Sequence, residues 1–211
     1  MRKQSLLKRF ARNILLPDNG PVLEGKKGSF IFVHINKNGG MSIGKVCGYN
    51  RRNHYTAKEI IDKVGARAWQ QAFRFAVVRN PWDKVVSQYK YRVMRNQTEL
   101  AHANLSFDNW LACTYGPDKD PKYYNNPKYF LPQVEWLKNH EGQLDVPHII
   151  RFEQLAAGWA EVAKALSLPT TLPHINNTTK TDYRTFYNDH TAQIVQEWFH
   201  EDIAEYNYTF D

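Results

Sequence analysis

Two apolar runs, each ending in a polar turn, dominate the hydrophobic pattern of the chain. Phe30 to Ile35 is β-rich and interrupted only by His34, and Phe73 to Val78 reads the same way. Short apolar runs bounded by turn residues predict buried strands. After the first run come a polar turn (Asn36, Lys37, Asn38), the pair Gly39 and Gly40, and then Ile43, Val46 and Cys47 at helical spacing. The order predicts strand, tight loop and helix. After the second run, Asn80 suits an N-cap, Pro81 the first helical position and Asp83 the first turn. Trp82, Val85, Val86, Tyr89 and Val93 then share one helical face. Thr56 and Glu59 have capping-box spacing before Ile60, Ile61 and Val64, with Gly65 as the stop. A short helix is expected to start near Ser106, a strand over Val146 to Phe152, and a helix from Glu153 to about Leu168. A closing helix, roughly Asp189 to Glu205, would bury Ile194, Val195, Trp198, Phe199 and Ile203.

With 211 residues, 42% of them hydrophobic, the chain can bury one substantial core. The net charge of +7 is unevenly placed: residues 1–29 hold seven Lys/Arg against Asp18 and Glu24, leaving 21 basic and 19 acidic residues beyond. A nucleic-acid face needs clustered cations on the folded body, so nucleic acid is not an expected partner. Residues 1–17 could form a short basic amphipathic helix, and Pro17 to Ser29, rich in Gly, Pro and charge, reads as a linker. The division expected is therefore a basic arm and linker over 1–29 and one domain over 30–211. No apolar stretch is long enough for a membrane span or a secretory signal, which gives a cytoplasmic expectation. Cys47 and Cys113 have no metal or redox spacing and read as buried thiols.

The loop after the first strand is the main chemical signal. A helix start offers backbone N–H groups to an anion, glycines permit close backbone approach, and Lys37 adds a mobile cation. The arrangement predicts a phosphate or sulfate cradle, although an ordinary turn with a solvated lysine would look alike in so short a motif. It is not the common nucleotide loop, because G-x-x-x-x-G-K-[ST] is absent and the lysine precedes the glycines. Arg79 stands at the carboxyl end of the second strand, where open α/β sheets place ligands, and its fork can grip phosphate oxygens in two places. Its bland alternative is a strand-end ion-pair former.

The first loop, F-I-F-V-H-I-N-K-N-G-G-M-S, resembles the 5′-phosphosulfate loop of sulfotransferases that use 3′-phosphoadenosine 5′-phosphosulfate (PAPS). The resemblance is to the carbohydrate O-sulfotransferases of the heparan sulfate 2-O-sulfotransferase-like and chondroitin sulfotransferase-like branch, whose loop typically reads F-I-H-I-P-K-T-G-G-T-S. His34, Ile35, Lys37, Gly39, Gly40 and Ser42 match. Asn36, Asn38 and Met41 stand where proline, threonine and a hydroxyl residue are usual. R-N-P-W-D-x-x-V-S-x-Y, residues 79–89, resembles the 3′-phosphate motif of the same enzymes. The resemblance implies an α/β fold: a single P-loop-like three-layer domain with a central, mostly parallel sheet flanked by helices.

The resemblance also implies roles. Lys37 would offset charge on the leaving nucleotide, and His54, before the T-A-K-E helix, would be the general base. Asn38, Gly39, Gly40, Met41 and Ser42 would hold the 5′-phosphate; Arg79 and Ser87 would hold the 3′-phosphate. Lys180 and Tyr183 fall in a polar loop resembling the one that closes over the nucleotide. Gln133 resembles a recurrent glutamine near the acceptor, and Tyr123 and Tyr124, in a Pro/Asn/Tyr-rich stretch, suit a sugar surface or simply pack the loop. His34, inside the strand, reads as a satisfied core histidine. PAPS would be the co-substrate, a glycan the expected hydroxyl acceptor, and no metal is implied. A non-catalytic glycan- or anion-binding module on a degenerate fold, and a nucleotide-dependent kinase, are the competing readings.

Overall fold

The computed structural model describes residues 22–25, 27–48, 54–173 and 182–211. The basic arm and Lys180 lie outside them. Four strands form one sheet in the order β1-β2-β3-β4: Val22–Gly25, Gly28–Val33, Phe73–Val78 and His148–Arg151. β1 runs antiparallel to β2, with Val22 opposite Ile31 and Gly25 opposite Gly28. β2, β3 and β4 are parallel, with Phe30 opposite Phe73 and Val78 opposite Arg151. The sheet is thus mixed and mostly parallel. β1 corrects the reading of Pro17 to Ser29 as linker: VLEG pairs with Gly28 to Ile31 of β2.

The inward runs are apolar on both sides because both sides are covered. Ile31, Val33, Ala76 and Val78 face the larger core; Phe30, Phe32, Phe75, Val77 and Ile150 face the other. This period-2 division is what a sheet between two helical layers requires. On the smaller face lie α1 (Gly40–Val46) and α7 (Leu155–Leu166), contributing Ile43, Trp159, Val162, Ala163 and Leu166. The larger face is covered by α2 (Ala57–Val64), α3 (Ala66–Gln71), α4 (Pro81–Met94), α5 (Phe107–Tyr115), α6 (Gln133–Leu137) and α8 (Asp189–Trp198).

Local rules explain several boundaries. Thr56 accepts from the Glu59 N–H while Glu59 reaches back to the Thr56 N–H, closing the capping box. Asn80 accepts from the N–H groups of Trp82 and Asp83, with Pro81 at the first helical position. Ser106 caps α5. The closing helix is two, not one: α8 stops before Phe199, and α9 (His200–Tyr206) begins after it. Phe199 is fully buried at the break, and α9 brings Asp202 into the interior.

The tyrosine-rich stretch packs on its own rings. Tyr123 is buried, and Tyr124 packs on Phe130 with ring centroids 4.9 Å apart. Arg92 donates to the Tyr123 carbonyl at 3.1 Å and to Asn125 Oδ1 at 3.2 Å. The loop is tied down by its own aromatics and by α4. Cys47 and Cys113 are half-buried free thiols, and burial pushes Cys47 up to about 12. Among the described residues no helix is long and apolar enough to cross a membrane.

Candidate active site

The first corner is made where β2 leaves the sheet. Its two glycines are there for space and backbone freedom. Gly39 has φ of +75°, and a Cβ would lie 2.9 Å from Leu155 Cδ2 and 3.1 Å from the Phe152 ring. A Cβ on Gly40 would fall 2.0 Å from His34 Nε2. Lys37 is held at φ +68°, a left-handed conformation unfavourable for a residue with a side chain. Strain of this kind, over-determined by its surroundings, is a mark of functional loops. Lys37 Nζ lies 4.0 Å from the centroid of the Tyr91 ring on α4.

The asparagines that depart from the familiar loop face inward. Asn38 is buried, and its Nδ2 donates to the Val77 carbonyl and to Gln133 Oε1, both at 2.7 Å. Asn36 Nδ2 donates to the Tyr129 carbonyl at 3.2 Å. Both side chains therefore fix the loop to the body. The Ser42 N–H donates to the Gly39 carbonyl at 3.1 Å, so the group Ser42 offers a phosphate is its hydroxyl. Asn38 to Met41 form the remaining run of candidate N–H groups. Ser42 is half-buried and Met41 exposed at the helix start.

The second corner is made where β3 leaves the sheet beside β2. Arg79 Nε donates to Asp83 Oδ2 at 2.8 Å, and Nη1 donates to the Lys37 carbonyl at 2.9 Å. Its guanidinium lies over the Phe152 ring, 4.1 Å from the centroid. The strand-end ion pair expected as the bland alternative is thus present, while the Nη2 group makes no hydrogen bond among the described residues. Asp83, Ser87 and Tyr91 follow at i, i+4 and i+8 along one stripe of α4. Asp83 meets Arg79 and Tyr91 receives Lys37, so half-buried Ser87 sits between the two cations on that stripe. The two corners touch directly through Arg79 and the Lys37 carbonyl.

Gln133 joins them from behind. It is fully buried, so the acceptor contact expected of it is corrected: no surface of it is available to a sugar. Its Oε1 accepts from Asn38 Nδ2 and from the Arg79 N–H at 2.9 Å; its Nε2 donates to the Arg79 carbonyl at 2.8 Å and to Asp202 Oδ2 at 3.1 Å. Asp202 also accepts from the Gln133 and Val134 N–H groups, each at 2.8 Å. Lys84, fully buried behind this network, has no hydrogen bond to Nζ and lies 5.2 Å from the Phe199 ring. Burial pushes Lys84 down to about 8, against the pull of Asp202, and burial likewise raises Asp202. Sequence reasoning missed this layer. The available signal was the polar series Lys84, Gln88 and Arg92, which repeats every four residues down the buried side of α4.

His54 stands beside the start of the first loop. Its Nδ1 is 2.9 Å from the His34 carbonyl, which only accepts, so Nδ1 carries the proton and Nε2 is the basic nitrogen of the neutral ring. The His34 and His54 rings are 4.2 Å apart. His34 is buried as expected but not satisfied: Nδ1 has no hydrogen-bond partner, and burial, helped by His54, pushes it down to about 3. Tyr183 reaches the second corner, donating to the Phe210 carbonyl at 2.6 Å and accepting from Asn80 Nδ2 at 3.4 Å. Glu153 Oε1 accepts from the Asn80 N–H at 2.7 Å, and Arg151 donates to the Tyr206 carbonyl, so both are architectural. Among the described residues no group of three or more His, Cys, Asp or Glu is gathered to hold a metal ion. Surface clefts of about 440 and 410 Å³ open elsewhere, one along Trp82, Tyr187 and Phe210, the other beside Arg151 and Tyr206.

Among solved structures, a sulfotransferase from Alicyclobacillus acidocaldarius is similar, with 20% identity and a TM-score of 0.35; the match covers 67% of this chain and 60% of that one. No curated protein matches. The family model described as the sulfotransferase family matches residues 24–209, a span that contains the sheet from within β1 to β4, both corners and His54. The chain belongs to the sulfotransferase family.

Proposed function

We propose that the protein transfers a sulfuryl group from PAPS to a hydroxyl, with a carbohydrate as the acceptor. The observation that carries this reading is the contact between Arg79 Nη1 and the Lys37 carbonyl, which brings two anion-gripping corners to the same end of adjacent parallel strands. Open α/β sheets bind ligands at that end. The donor's two phosphorylated ends match two corners better than they match one.

The residues fit such a donor. The left-handed backbone at Lys37 and Gly39 turns the run Asn38 to Met41 at the head of α1, where N–H groups meet a 5′-phosphate. Lys37, held over Tyr91, is a mobile cation that offsets charge growing on the oxygen of the departing nucleotide. Arg79 Nη2 and the Ser87 hydroxyl receive the 3′-phosphate from the strand end and from α4. His54 takes the acceptor's proton at Nε2, its tautomer fixed by the His34 carbonyl. In a loose transfer these tasks, positioning and charge neutralisation, supply most of the rate.

Titration calorimetry tests the reading. Adenosine 3′,5′-bisphosphate should bind far more tightly than AMP, and Arg79→Ala should erase the difference. A kinase would instead prefer ATP with magnesium, and a binding module would show no nucleotide preference; either result overturns the proposal. Labelled PAPS offered with glycans, lipids and small alcohols then decides the acceptor class, and label transferred only to non-carbohydrates would remove the glycan.

A further inference from the structure

A single amide side chain occupies the junction of the two corners with the C-terminal helix. Gln133 has two acceptor and two donor positions on its side chain, and all are filled. Its oxygen takes Asn38 of the first corner and the Arg79 N–H of the second; its nitrogen binds the Arg79 carbonyl and Asp202 of α9. Asn38 itself ties back to the Val77 carbonyl on β3, so the link between loop and strand is closed at both ends. Asn38, Gln133 and Asp202 are all buried, so none of these three side chains meets a ligand.

A doubly phosphorylated nucleotide is a bivalent ligand for two corners. Its advantage over a singly phosphorylated one depends on the effective concentration of the second end once the first is bound, which depends on how firmly the separation of the sites is fixed. A misplacement of about 1 Å can cost an enzyme about 10²-fold in rate, and a ligand gripped at both ends is sensitive to the same kind of error. The Arg79 guanidinium itself meets the first corner at the Lys37 carbonyl, and a phosphate entering at Arg79 competes for that guanidinium. The separation must therefore be held by something the ligand does not touch.

We propose that Gln133 is a positioning residue that sets the spacing of the two corners, and that Asp202 fixes Gln133 from the C-terminal helix. The inference rests on the donor reading given above and assigns the selectivity for a doubly phosphorylated nucleotide to this buried amide. Gln133 does not contact the nucleotide; it acts through Asn38 and Arg79.

The test compares three nucleotides by calorimetry: adenosine 3′,5′-bisphosphate, AMP and adenosine 3′-monophosphate, on wild type, Gln133→Met and Asn38→Ala. Met keeps the volume of Gln133 and removes its polar atoms. The expected result for Gln133→Met is a loss of about 30-fold or more in bisphosphate affinity with less than about threefold loss for either monophosphate. Asn38→Ala, which cuts the amide's link to the first corner together with the Asn38 bond to the Val77 carbonyl and leaves Gln133 on Arg79, should show the same pattern at about fivefold. If Gln133→Met does not fold, the Asn38→Ala result decides. Parallel losses for all three nucleotides would mean general loosening and would overturn the proposal, as would an unchanged ratio. Wild-type protein with no preference for the bisphosphate would instead defeat the donor reading itself, before any variant is measured.

Discussion

The two corners hang from neighbouring strands but are built by opposite means. The Arg79 corner is regular: a strand end, an asparagine cap, a proline at the first helical position and an i,i+4 ion pair. Each device lies within a few residues of the next. The Lys37 corner is irregular: two residues at positive φ, a glycine packed on His34, and asparagines whose partners lie far along the chain at Tyr129 and Gln133. One corner has short-range helix rules beneath its distant ties to Gln133, Glu153 and Thr209; the other has only the finished fold. Strain is therefore concentrated at the corner assigned the moving charge, and regularity at the corner assigned to grip.

Lys37→Ala should break the comparison most severely. Removing the cation should lower turnover by on the order of 10³-fold while changing bisphosphate affinity far less, because its charge is needed most as the leaving oxygen becomes negative. Arg79→Ala should do the reverse and act mainly on affinity. Steady-state rates beside calorimetry on both variants check the split. Equal losses in both quantities for both variants would mean that the corners share one task.

Gly40→Ala comes next. Alanine is favoured over glycine inside a helix, but here its Cβ would sit within the His34 ring, and the loop must shift. Overpacking of this kind costs about 3 kcal/mol. Denaturant unfolding should show that loss, and the same substitution made in a His34→Ala background should cost less than half as much. An undiminished loss there would place the strain somewhere other than the histidine.

How much of this was legible in the chain follows the same division. The Asn80 cap, the Thr56–Glu59 box, the Ser106 start and both inner strands could be read because each depends on neighbours in sequence. The positions of Lys37, Arg79 and His54 on the loops that converge were likewise readable from spacing. Gln133 could be noticed but not understood, since its four partners come from Asn38, Arg79 and Asp202. Lys84 was hidden because nothing local forces a lysine into a core. β1 was missed because four residues followed by a tight return carry almost no period, and only pairing with β2 makes them a strand. The split at Phe199 was hidden by apolar spacing that continues across it.

The irregular corner also carries an acid sensitivity, at His34. His34 is held down to about 3 in the fold, mainly by burial, and titrates near 6.5 in the unfolded chain. Below pH 6.5 the unfolded chain therefore binds a proton that the native state refuses. The stability is fully present above 6.5 and is lost as pH falls towards 3. Between pH 6 and pH 5 the loss from this one group should be about 1 kcal/mol. Unfolding curves of wild type and His34→Gln at the two pH values share every other titrating group, so the gap between them should change by that amount. Parallel curves would show that His34 takes up its proton in the native state.

The smallest effect sharpens the regular corner. Asn80 does two jobs: its oxygen caps α4, and its Nδ2 donates to the Thr209 carbonyl at 2.8 Å, tying the C-terminal segment to the strand end. Loss of the cap alone should lower stability by about 1 kcal/mol in Asn80→Ala. Asn80→Asp keeps the cap oxygen and adds a charge favoured at a helix N-terminus, but removes the donor to Thr209. If the corner depends on local helix rules, Asp should recover more than half of the alanine loss in thermal or denaturant unfolding. If Asp and Ala lose equal stability, the corner depends on the distant Thr209 contact, and the two corners are built alike after all.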